Sequence, residues 1–490
     1  MSAPNNLPKV LQVSTIASIE NMNIKTEVLD PITATNSQVV FQIPKTGILD
    51  GGSMVQLGVL ADNNLFFPLN TGIHGLIKSC FLKVGGKVLA SNDDYAHYTT
   101  MTRQFDTPEH RAYVDMVKSG ACGDRWAEVE SGRIGYRDLV SVVNANPTLT
   151  ASNVPEFIKP TPDPATTPLF SVPLSTLIPM MKTRTMPLMA LKEHVYIEIN
   201  FNSQLSDAQI GTICCRRNGS AASAVVVPSL TNIKFISDHL YYTDEKMDEV
   251  VMKSLSEDGL SVLYEDIITT FADVPPLAGV GAGVLVPQKV ERQIAVSGKT
   301  VRNILVAEKN TNDNHVVLGN YFSRDLIVPT SYNFRINDQR IYDRDVEAPP
   351  RKYNELSQVM GKPLMVPSQI YSYDVDTDKQ DQPLQRPNQN SVFIGKVEEF
   401  QMPNAAGTDI SNDLRATSSY YGYDASTTAF NVLGNGQTIG VKPILVQRTY
   451  QRQADNANVI KGQNDARQMR IFTNVERIYN ISKGEITISA

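Results

Sequence analysis

The sequence predicts an all-β protein built as two consecutive antiparallel sandwiches, and three observations carry that expectation. The first is the stretch Leu76–Tyr98, in which apolar Cys80, Leu82 and Val84 alternate up to Gly85-Gly86 and Val88 and Leu89 follow. Alternation across a two-residue Gly-Gly loop marks a hairpin, because both turn positions call for positive φ. The second is an echo at Tyr332–Tyr353, where an alternating strand, an Asn337-Asp338 turn and Ile341-Tyr342 lead through acidic residues into a helical-looking segment. The two turns lie about 250 residues apart, half of the chain, and a repeat at that spacing fixes architecture. The third is a succession of short strand runs punctuated by Gly and Pro along both halves.

Composition bounds the rest. A chain of 490 residues is too long for one core and reads as two or more domains. With 41% apolar and 20% charged residues it is globular. A net charge of −6 and a pI near 5.6 supply no basic footprint, which argues against an extensive nucleic-acid face. Met1–Gln12 lacks a charged-then-apolar signal pattern and no run approaches the ~18 apolar residues of a membrane span, so the expectation is a soluble protein made in a reducing compartment. Cys80, Cys122, Cys214 and Cys215 show no CxxC spacing and are expected as free thiols.

In chain order, residues 1–37 are polar, rich in Asn, Thr and Ser with Pro4, Pro8 and Pro31, and are expected as an extended N-terminal arm. Strand signal starts at Val39–Ile43 and resumes at Met54–Leu60 after Gly47, Gly51 and Gly52. Beyond the first hairpin, Tyr98, Met101, Phe105, Tyr113 and Met116 around Pro108 predict two short helices, or one broken at the proline. Residues Val117–Pro187 form a long irregular excursion, the kind that is usually functional or interfacial. His194–Asn202 alternates as a strand, and Ile233–Tyr242 is a strand running into Asp244, Glu245, Asp248 and Glu249, a solvated helix start near a boundary. Pro275-Pro276 and Gly279–Gly283 read as a linker, followed by strands at Val290–Val296, Arg302–Ala307 and Asp325–Val328. After the second hairpin come a helical Asn354–Met360, a second excursion Pro363–Gly440 with one strand at Val392–Val397, and strands at Val441–Gln451, Met469–Ile481 and Glu485–Ser489. The expected division is an arm over 1–37, a first jelly roll over 38–243 with a loop insertion at about 92–186, a linker over 244–289, and a second jelly roll over 290–490 with an insertion at about 343–440.

Two consecutive eight-stranded antiparallel jelly rolls with short helices and long loop insertions resemble the double jelly-roll major capsid proteins of icosahedral double-stranded DNA viruses. The lineage is that of polinton-like viruses, virophages and giant viruses. The residues that carry the resemblance are the Gly85-Gly86-Lys87 turn leading to Asp93-Asp94-Tyr95, the Met186–Leu191 segment before His194–Asn202, His239–Glu249, Phe334–Asp345 and the terminal run through Ile488. The resemblance implies a homotrimer of six jelly rolls, a pseudo-hexameric capsomer that tiles a shell around double-stranded DNA without specific nucleic-acid recognition. It also implies loops forming an outer tower, and an arm at the inner face near minor proteins or an internal membrane. Neighbouring capsomers, penton and minor capsid proteins would be the partners. The place would be the virion, after synthesis in the host cytoplasm or nucleus and without secretion. No catalytic, cofactor-binding or metal-binding residue is implied, and no enzyme.

Sharper chemistry finds little support in the residues. His74, His97, His110, His194, His239 and His315 occur in neither HxxxH nor HExxH spacing. Gly279, Gly281 and Gly283 lack the Lys-Ser/Thr of a phosphate loop. Carboxylates such as Glu128, Glu130, Asp343 and Asp345 are expected as solvated loop charge, since a chain with 51 acidic residues offers such pairs freely. Ser171 and Ser323 sit in no GxSxG elbow. Tyr420, Tyr421 and Tyr423 suggest a subunit contact ahead of a sugar platform. The sequons at Asn218 and Asn480 are chance matches if the chain is not secreted. The competing functions are a receptor- or carbohydrate-binding spike or lectin-like protein, and a carbohydrate-active enzyme, which would need an acid–base carboxylate pair in a cleft.

Overall fold

The computed structural model describes residues 22–59, 72–103, 116–119, 169–183, 185–201, 230–242, 259–275, 287–310, 331–347, 349–361, 397–399, 402–403, 410–411, 415–417, 420–426, 433–440, 442–451 and 467–489. The first sandwich comprises β1 (Met22–Leu29), β2 (Gln38–Ile43), β3 (Met54–Val59), β4 (Ile77–Val84), β5 (Lys87–Asn92), helix α1 (Tyr95–Arg103), β6 (Leu169–Pro173), β7 (Val195–Phe201) and β8 (Leu230–Tyr242). The second comprises β9 (Leu260–Val274), β10 (Pro287–Ile294), β11 (Thr300–Asn310), β12 (Ser331–Ile336), β13 (Gln339–Arg340), helix α2 (Pro349–Met360), β14 (Tyr420–Asp424), β15 (Ile444–Gln451) and β16 (Arg467–Ser482), with β17 (Glu485–Ser489) added at its end.

The repeat is strand for strand. In the first sandwich one sheet runs β6-β3-β8-β1 and the other β2-β7-β4-β5. In the second the orders are β14-β11-β16-β9 and β10-β15-β12-β13, so each strand n has its counterpart at n + 8. Both are eight-stranded antiparallel jelly rolls. In each, the first strand pairs with the last: Met22 opposite Tyr242 through Leu29 opposite Phe235, and Leu260 opposite Ile481 through Val274 opposite Arg467.

Alternation made these strands. In β7 the residues Val195, Ile197, Ile199 and Phe201 are buried while those between are half-buried, and β2 does the same with Val39, Phe41 and Ile43. The inner faces meet in one core per sandwich, Phe41 stacking near Phe235 in the first and Tyr332 on Tyr421 in the second, with ring centroids 5.6 and 4.7 Å apart. Both expected hairpins form. Asn337 and Asp338 take φ of 53° and 67°, whereas at Gly85-Gly86 only Gly85 is left-handed, at 57°, and the pairing is bulged at Leu82/Lys83.

Four expectations meet a different structure. The arm expected over 1–37 contains β1, whose eight residues add an edge strand to β8, and Thr33–Ala34, which pairs with β2. The linker expected over 244–289 contains the fifteen-residue β9 and the start of β10. The insertion expected over about 92–186 ends earlier, because Leu169–Pro173 is β6, paired with β3. The insertion over about 343–440 likewise contains β14, paired with β11. The acidic segment after Tyr242, the strand at Asp325–Val328 and the glycines 279–283 lie outside the described residues.

Candidate functional site at the junction of the sandwiches

A cluster of buried charge lies where the two sandwiches meet. β9 and β16 are long, about 50 Å at the usual rise of a strand, and their two ends serve different cores. Met469, Ile471 and Val475 face the second core, while Leu260, Tyr264, Tyr479 and Ile481, with Ile486 of β17, complete the first. Tyr264 donates its hydroxyl hydrogen to the carbonyl of Leu89 in β5 at 2.7 Å, and Lys192 N–H donates to Gly484 O at 2.9 Å. A third cluster sits on the outer face of the sheet β11-β16-β9. There Met101 of α1 joins Ile267, Leu305, Ala307 and Phe472, and α2 adds Leu356 and Val359.

An ion pair crosses the same contact, and a network of others lies beside it within the second sandwich. Asp94, just before α1, accepts from Arg470 of β16 and lies 2.7 Å from Nδ1 of His97. Burial pushes the Asp94 carboxyl up, but His97 and Arg470 outweigh it and hold it well below the usual carboxylate range. Asp266 of β9 accepts from the Ser91 N–H of β5 at 3.1 Å and from Nη1 of Arg477 at 2.6 Å. Here burial wins over Arg477 and the backbone donors, and the carboxyl is pushed up to about 6. Glu265 is also raised by burial, although Arg302 donates to it at 2.6 Å and also lies 3.6 Å from Glu476. Tyr98, Thr102, Lys182, Glu265, Asn303 and Asn474 are among the residues around a cavity of roughly 310 Å³ between the sandwiches.

This arrangement couples two bodies mechanically; each carboxylate described is engaged with a cation or a backbone donor. The residues singled out in the sequence do not converge. His74 bonds the Tyr95 hydroxyl at 2.7 Å, His239 contacts Ser237 Oγ at 2.6 Å and the Thr46 carbonyl at 3.1 Å, and His194 lies beside Tyr196. Asp345 accepts from Asn333 at 2.9 Å and pairs with Arg340. Ser171 is within β6, and Asn480 accepts from Ser261 at 2.5 Å. Tyr421 and Tyr423 pack within the second sandwich against Tyr332, Phe334 and Tyr342, so they are core, not a subunit contact. Cys80 is a free, buried thiol. His110, His315, Glu128, Glu130, Ser323, Asn218, Cys122, Cys214 and Cys215 lie outside the described residues. Among the described residues no group of three or more His, Cys, Asp or Glu is placed to hold a metal ion, and no helix is long and apolar enough to cross a membrane.

No protein-family model matches the chain, and neither does any curated protein. Solved structures do. The structure of PBCV-1 VP54 fitted into a reconstruction of the virophage Sputnik matches with a TM-score of 0.55 at 12% identity, over 96% of this chain and 97% of that one. The PBCV-1 virus capsid gives 0.55 at 11% identity, over 96% and 97%. The Sputnik virophage structure gives 0.50 at 11% identity, over 96% of this chain and 88% of that one. At such identities the likeness is one of fold, and the chain has the double jelly-roll fold of the major capsid proteins of PBCV-1 and the Sputnik virophage.

Proposed function

We propose that this chain is the major capsid protein of an icosahedral double-stranded DNA virus. Three copies would form a capsomer with six jelly rolls and a pseudo-hexagonal outline, and capsomers would tile the shell around the genome. The observation that carries this is the tandem of two topologically identical jelly rolls fixed to each other by a shared core, the buried Asp94–Arg470 ion pair and the Ser91–Asp266 hydrogen bond. A rigid pair of like units gives threefold symmetry a sixfold outline, which lets one kind of chain tile the faces of a shell. A receptor-binding spike or an enzyme needs no such pairing, and the proposed role is structural and non-enzymatic. The division between the jelly rolls falls between Tyr242 and Leu260, and the virion is the proposed location. Neighbouring capsomers, penton and minor proteins are the proposed partners. Purified full-length protein imaged by electron microscopy should show hexagonal-outlined particles of three chains. Monomers at micromolar concentration would sink the proposal.

A further inference from the structure

The cavity of roughly 310 Å³ is walled by both sandwiches: by α1 and residues 174–183 from the first, and by β9, β11, β16 and the end of α2 from the second. Asn303 and Asn474 stand directly opposite each other on β11 and β16. They lie two positions from Leu305 and Phe472, so alternation puts them on a sheet face that is otherwise apolar there. Their exposures are only 9% and 7%. Yet both amides are weakly bonded. Asn303 Nδ2 donates to Val359 O at 3.3 Å, and Asn474 reaches only the Tyr98 hydroxyl, at 3.4 and 3.5 Å, the outer limit of a hydrogen bond. Among the described residues no other hydrogen bond engages either side chain.

Buried amides destabilise a fold unless their donors and acceptors are met, so such a pair calls for a polar occupant of the space it faces. The remaining wall defines the chemistry of that occupant. Tyr98, Thr99, Thr102, Ser175 and Thr176 supply hydroxyls, which both donate and accept, as the two amides do. Charge gives no preference for an ion. Glu265 is bonded to Arg302 at 2.6 Å, and Lys182, of opposite sign, acts on it from the other sandwich. The volume is at the lower end for small-molecule sites, and the exposed Lys182 marks the side open to solvent.

We propose that this cavity binds a neutral polyhydroxylated small molecule, a monosaccharide or a cyclic polyol, whose hydroxyls complete the amides of Asn303 and Asn474. Tyr98 and Thr102 belong to one sandwich and the two asparagines to the other, so the bound molecule bridges the junction and stiffens it. Binding needs a single chain and does not depend on the capsomer.

The test titrates the full-length protein with glucose, galactose, mannose and inositol, read by saturation-transfer NMR and by melting temperature. Glucuronate and glucosamine serve as charged counterparts. At least one neutral compound should bind and raise the melting temperature, and the charged compounds should bind about tenfold more weakly or not at all. Asn303→Leu and Asn474→Leu, close in shape to the wild type, and separately Thr102→Val should each weaken binding about tenfold or more. Without ligand the two leucine variants should melt at or above the wild type, because each removes an unmet amide from an apolar face. Binding by none of the four neutral compounds would show that water alone fills the cavity and overturn the proposal. Equal binding of the charged compounds, or unchanged affinity in the variants, would overturn it too. Leucine variants that melt below the wild type would make the amides purely structural, with the same result.

Discussion

At the scale of single residues, Asp266 and Asp94 are two buried carboxylates on one junction with opposite proton affinities. Asp266, at about 6, lies above its ordinary 3.8, so the folded chain holds its proton more tightly than the unfolded one. The stability it contributes is full below about 4 and is lost as the pH rises to about 6. Asp266→Asn keeps an oxygen acceptor for Ser91 and removes that dependence. Unfolding free energy measured from pH 4 to 7 should therefore be flatter in the variant by about 2–3 kcal/mol, and an unchanged slope would show that Asp266 does not titrate there. Asp94 runs the other way. Its lowered pKa contributes stability above the ordinary carboxylate value, lost as the pH falls. Arg470→Ala leaves its carboxylate buried with one cation fewer, which should cost about 3 kcal/mol at pH 7 in urea unfolding. The cost should shrink near pH 4, where Asp94 of the variant takes a proton.

At the scale of elements, the turn Asn337-Asp338 holds two non-glycine residues in the left-handed region, the second at 67°. Asp338→Gly removes that strain, at the loss of an exposed pair with Lys442 that is worth little. The variant should be more stable by about 1 kcal/mol, read as a rise in melting temperature. The N-terminal residues divide similarly. Deleting 2–21 should leave both sandwiches folded, whereas deleting 2–35 strips β1 from β8 and should lower the melting temperature by several degrees; equal melting of the two truncations would show that β1 adds no stability. Which strands were legible follows from their burial. β2, β7 and the end of β16 bury one face and alternate, so the pattern announces them. β1 escaped because its Ile24 and Val28 face outward, and β9 because Glu265 and Asp266 occupy positions where a core strand has apolar residues. β6 and β14, five residues each inside long excursions, are too short for a period to register.

At the scale of the whole molecule, the sequence repeat disclosed two like bodies but not what joins them. The junction depends on partners such as Asp94 and Arg470, 376 residues apart, and no local pattern reports such a pair. Its consequence is cooperative. Tyr264, Tyr479, Ile481 and Ile486 belong to the second half of the chain yet are almost fully buried in the first core. A first sandwich made alone would lack those side chains and expose the apolar surface they cover, several kcal/mol of burial in all. The intact chain should therefore unfold in one calorimetric transition, with Ile481→Ala shifting that entire transition by a loss of about 2–5 kcal/mol. Residues 22–258 expressed alone should show no cooperative melt. If calorimetry instead resolves two transitions, and Ile481→Ala moves only one of them, each jelly roll is stable by itself and the shared core is packing without thermodynamic coupling.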